Sequence, residues 1–90
     1  METTRQLVVD GDEVTFAVVP SGQAMAVPEG GRTDAGEPIL VATAWRDGKE
    51  AWSGVLCPAR SLFLPIREQF TDEALERHYR AARAASSTQG

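Results

Sequence analysis

Ninety residues carrying a formal charge of −4 and a hydrophobic share of 42% describe one folded domain and exclude a wholly disordered chain. The acidic balance disfavours a non-specific nucleic-acid binder, because phosphate binding needs clustered positive charge. A single cysteine excludes an internal disulfide, and one cysteine with one histidine cannot build a structural zinc site.

A domain of this size buries only roughly 60% of its unfolded surface, so self-association or docking to a protein partner is expected. No apolar run approaches the ~20 residues that span a bilayer. The first twenty residues lack a basic start followed by an apolar block, which reads as no signal peptide and a cytoplasmic protein. Arginine outnumbers lysine eight to one and alanine is abundant, a composition associated with GC-rich bacterial or phage genomes.

Residues 1–4 read as a flexible N-terminus. Arg5–Val9 and Val14–Val19 read as two strands joined by Asp10–Glu13 as a turn. Pairing Val9 with Val14 sets Leu7 opposite Phe16, with Leu7, Val9, Val14, Phe16 and Val18 on one face. Pro20-Ser-Gly22 is a turn signal. A weak third strand over 23–27 and a glycine-rich loop over 28–36 follow.

Ile39–Cys57 is the clearest hairpin, folded on Asp47-Gly48. Its uninterrupted register pairs Arg46 with Lys49, Trp45 with Glu50 and Thr43 with Trp52. Ile39, Val41, Trp45, Trp52 and Leu56 then share one face. Leu40, Ala42, Ala44, Ala51, Ser53, Val55 and Cys57 share the other. Both faces are rich in apolar residues, so each needs a cover, and Gly54 opposite Val41 leaves a gap or marks a bulge.

Pro58 ends the strand. Ala59–Pro65 fits either a short helix or another strand. Thr71 is a good N-cap, Asp72 and Glu73 suit a first helical turn, and Leu75, His78, Tyr79 and Ala82 form an inner stripe. The helix is expected over about 72–84, with a Phe70–Leu75 staple and a flexible tail over 86–90. The fold expected is α+β: an antiparallel sheet or small barrel of about five strands, with one C-terminal helix, forming a single domain over 5–85.

No constellation of catalytic residues stands out, and neither a cofactor nor a metal is expected. Asp10, Asp12 and Glu13 lack the further oxygen ligands of a calcium loop and read as turn chemistry. The leading functional expectation is a non-enzymatic binding or assembly protein, a homo-oligomer or small subunit, whose contacts involve Trp45, Trp52 and Val41 of the hairpin with Arg77 and Arg80 of the helix. One alternative is a ligand-binding or enzymatic pocket around Cys57, His78 and Tyr79. Another is a nucleic-acid surface on Arg77, Arg80 and Arg83, set against a solvated face with Glu73–Arg77 and Glu76–Arg80 pairs.

Overall fold

A computed structural model of the chain describes residues 3–22, 25–26 and 32–87. Four antiparallel strands form one open sheet in the order β1-β2-β5-β6: β1 (Thr4–Val9), β2 (Asp12–Pro20), β5 (Pro38–Arg46) and β6 (Lys49–Pro58). Between β2 and β5, β3 (Met25–Ala26) pairs with β4 (Arg32–Thr33) as a separate two-stranded ladder. A one-turn helix α1 (Ile66–Gln69) and a long helix α2 (Asp72–Ser87) complete the chain. The α+β class holds, but the main sheet has four strands and stays open, where about five strands or a barrel were expected. Of the strand expected over 23–27, Met25–Ala26 pairs with β4 and not with the main sheet, and the rest lies outside the described residues. Part of the expected 28–36 loop lies outside the described residues, as do most of the expected flexible ends.

Both long hairpins turn on Asp-Gly, and both residues of each turn hold positive φ: Asp10 at 53° with Gly11 at 86°, Asp47 at 54° with Gly48 at 77°. This is the two-residue turn whose twist matches that of the flanking strands. It corrects the first register. Val9 pairs with Asp12, Leu7 with Val14 and Arg5 with Phe16. The shift is two residues, so the apolar face survives. Asp12, however, moves out of the turn and onto that face, in line with Val14 and Phe16.

The second hairpin keeps its expected pairs at the tip and then departs from them. Arg46 pairs with Lys49 and Trp45 with Glu50, but Ala44 then pairs with Trp52, because the register shifts at Ala51. A further shift at Leu56 sets Leu40 opposite Cys57. Each shift inserts one residue and reverses which face the following residues occupy. Trp45 and Trp52 therefore lie on opposite faces, contrary to the uninterrupted register.

The inner face carries Val9, Val14, Phe16, Val18, Leu40, Ala42, Ala44, Leu56 and Cys57, all buried beneath Ile66, Leu75, Tyr79 and Ala82. Trp52 packs against this core from its rim. Small alanines on central β5 leave room for the large rings above them. Tyr79 stands edge-on to Phe16 (6.2 Å, 82°) and to Trp52 (5.6 Å, 77°), an arrangement aromatic quadrupoles favour. The gap expected at Gly54 is filled: a Cβ there would lie 2.9 Å from the Trp52 indole. Gly54→Val should therefore displace the indole and cost about 1–3 kcal/mol, read as a lower melting temperature and a changed near-ultraviolet tryptophan signal.

Helix α2 begins where expected. The Ala74 N–H donates to Thr71 Oγ1 at 3.1 Å, the N-cap bond that satisfies an orphan first-turn donor. From there α2 crosses the sheet. Arg5, near the start of β1, forms a two-point pair with Asp72, and Tyr79 reaches Trp52 on β6. At the first hairpin turn, Arg80 forms a two-point pair with Asp10. No described helix is long and apolar enough to cross a membrane.

Candidate functional site

The two Asp-Gly turns lie at the same end of the sheet, because β2 and β5 are antiparallel neighbours with Glu13 beside Trp45. The C-terminal half of α2 passes over this end. Asp10, Asp12, Arg46, Tyr79, Arg80, Arg83 and Ala84 line an open cleft of about 330 Å³ there.

Asp12 organises this cleft. Its side chain is 1% exposed, and a buried carboxylate needs charged partners. Arg46 Nε donates to Oδ1 at 2.7 Å and Arg83 Nη1 donates to Oδ2 at 2.8 Å. The hydrogen bond from Arg46, followed by that from Arg83, holds the Asp12 carboxyl below the usual carboxylate range, against the opposing effect of burial. Arg83 also donates to the Tyr79 hydroxyl. Its guanidinium is pushed upward by the Asp12 bond first and the Tyr79 bond second. One carboxylate thus links both hairpins to the helix. The cleft offers charged groups that already answer one another, and no nucleophile with an adjacent base.

A different surface lies on the sheet face away from α1 and α2. Cross-strand pairing lines up Val8, Glu13, Trp45 and Glu50 as one rung over four strands. Directly paired residues share a face, so Glu13 and Glu50 flank Trp45. Trp45 is 38% exposed and Val8 68% exposed. Neither Glu13 nor Glu50 forms an ion pair among the described residues. The next rung is polar (Gln6, Thr15, Thr43, Ser53), and beyond it Ala17, Val41 and Val55 are half-buried.

A third surface is the connection from β6 to α1. The Gln69 side chain staples it: Oε1 accepts from the Arg60 N–H (2.7 Å) and the Ser61 N–H (3.3 Å), while Nε2 donates to the Ser61 carbonyl (2.8 Å) and the Leu64 carbonyl (3.1 Å). Ser61 Oγ accepts from the Phe63 N–H at 3.0 Å. Leu62 packs on the core, and Phe63 projects at the tip, 78% exposed. The segment is an ordered loop, neither the short helix nor the strand that sequence allowed.

These placements divide the residues singled out from sequence. Trp45 and Val41 share the outer face, whereas Trp52 is inward with Tyr79. Arg77 and Arg80 lie on α2, and Arg80 is occupied by Asp10, with Glu76 at 3.9 Å. Arg77 forms no ion pair among the described residues, so the expected Glu73–Arg77 pair is absent there. Of the row Arg77, Arg80 and Arg83, two are turned toward carboxylates, which weakens its use for phosphate. Cys57 is buried in the core, His78 stands edge-on to Phe70 at 6.1 Å, and only Tyr79 of that trio lines the cleft. Asp12, Phe63 and Gln69 were not anticipated as site residues.

The chain matches no family model, no curated protein and no solved structure.

Proposed function

We propose that this protein is a small, non-enzymatic binding or assembly subunit that acts in the cytoplasm through protein–protein contacts made by the outer sheet face. The observation that carries the reading is Trp45. Tryptophan is a costly residue to leave in water and the type most enriched at interface hot spots. Here it stands partly exposed at the centre of a four-strand rung, with both helices on the other side of the sheet. The cleft favours an architectural role over a reactive one, because its carboxylates and guanidinium groups are mutually paired. A lone, buried Cys57 suits a reducing compartment.

The experiment compares wild type with Trp45→Ser in sedimentation at micromolar concentration and in capture from extracts of the native cell, with thermal melts alongside. The expected result is a defined association, with itself or with one protein, that weakens about ten-fold or more in the variant. The melting temperature should fall by only a few degrees and the transition should stay cooperative, because Trp45 is partly exposed and lies outside the main core. A monomeric wild type that captures nothing beyond what the variant captures would overturn the reading.

A further inference from the structure

Two exposed aromatic side chains stand at opposite ends of β6. Trp45 faces Glu50, the second residue of that strand, and Phe63 projects from the loop that follows its last residue, Pro58. Their rims differ in charge. Glu13 and Glu50 flank Trp45, whereas the loop that carries Phe63 also carries the exposed Arg60 and has no acid between Ala59 and Pro65.

We propose that the Phe63 loop of one copy docks on the Trp45 rung of the next, so that the protein associates head to tail with itself. The inference rests on the reading of the outer face as a contact surface and names its occupant. Charge complementarity selects a second copy: the same chain carries an aromatic with an acidic rim and an aromatic with a basic one. It also selects the symmetry. Rung against rung would oppose Glu13 and Glu50 to their own copies, and loop against loop would oppose Arg60 to Arg60. Only the heterologous pairing joins unlike charges, and a heterologous contact closes into a ring or extends as a filament. The Gln69 staple holds the loop in one shape before contact, which lowers the ordering cost of docking.

The test is a complementation experiment by analytical ultracentrifugation on Trp45→Ser, Phe63→Ser and their equimolar mixture. Wild type should form species larger than a dimer in a concentration-dependent series. Each variant alone should associate about ten-fold more weakly or worse. The mixture should form a one-to-one dimer and nothing larger, because each copy keeps one intact half. Should either serine variant fail to melt cooperatively, Glu50→Lys and Arg60→Glu replace them: each alone is weakened, and the mixture regains association through the reversed charges. A mixture that stays monomeric overturns the proposal, as does an association that needs Trp45 but ignores both Phe63 and Arg60. A monomeric wild type that still captures another protein through Trp45 also overturns it, while leaving the outer face as a contact surface.

Discussion

Tyr79→Ala should abolish or nearly abolish the cooperative melting transition, whereas Tyr79→Phe should melt only a few degrees below wild type. The ring is 1% exposed and is gripped edge-on by Phe16 from β2 and Trp52 from β6. It is therefore the piece of the helix that both hairpins touch. Truncating a buried aromatic costs about 3–5 kcal/mol. A domain near ninety residues holds a total stability toward the lower end of about 5–15 kcal/mol, so one ring is a large fraction of the whole. The phenylalanine variant keeps the packing and loses only the hydroxyl that accepts from Arg83, a loss of about 1 kcal/mol. Circular dichroism melts of the three proteins decide the matter. Comparable losses in the two variants would mean that the polar cluster, and not the aromatic packing, holds the helix down.

The second large effect belongs to Asp12. Asp12→Asn removes the one negative charge that Arg46 and Arg83 share and leaves two guanidinium groups converging on a neutral amide. Breaking a buried pair from one side is far costlier than losing a surface pair, and a fall in melting temperature on the order of 10 °C is expected. Acidity should act through the same group. The folded-state pKa of Asp12 lies below its ordinary value of 3.8. Between those two values the unfolded chain binds the extra proton, so stability rises with pH there. The contribution is complete above about pH 4 and is lost as pH falls through the folded-state pKa. Stability measured against pH should decline steeply below pH 4 in wild type, with a shallower decline in the asparagine variant. Equal acid slopes would show that other carboxylates govern acid unfolding.

The sequence made the turns and the helix legible and left the faces partly obscured. Asp10-Gly11 and Asp47-Gly48 announce their hairpins because only a few residues accept two successive positive φ values. Thr71 announces the start of α2 because its hydroxyl meets a backbone donor nearby in the chain. Faces depend on parity, and a single inserted residue reverses parity. Ala51 is such an insertion, and nothing about an alanine advertises it; only the packing of Trp52 over Gly54 and against Tyr79 accounts for it. Asp12 was more accessible to reasoning. Applying the two-residue rule to Asp10-Gly11 puts Asp12 opposite Val9 on the apolar face, where an unpaired carboxylate cannot remain. Its two arginine partners are 34 and 71 residues away, beyond the reach of any local pattern. The Gln69 staple has no pattern either, since four contacts from one amide depend on how a loop happens to close.

The three arginine–aspartate links between the first hairpin and α2 join residues 67, 70 and 71 positions apart. Strands made earlier are thus finished by a helix made later. Until Arg83 arrives, Asp12 holds half of its counter-charge and the inner face of the sheet lacks Tyr79. A chain so arranged acquires its stability late and in one step, since contacts across long loops must be closed before they repay the ordering of the chain. A growing copy would expose its apolar sheet while its neighbours on the same message do likewise. Under the end-to-end docking proposed above, contact between copies would wait on Gln69, the residue that fixes the Phe63 loop and is made after it.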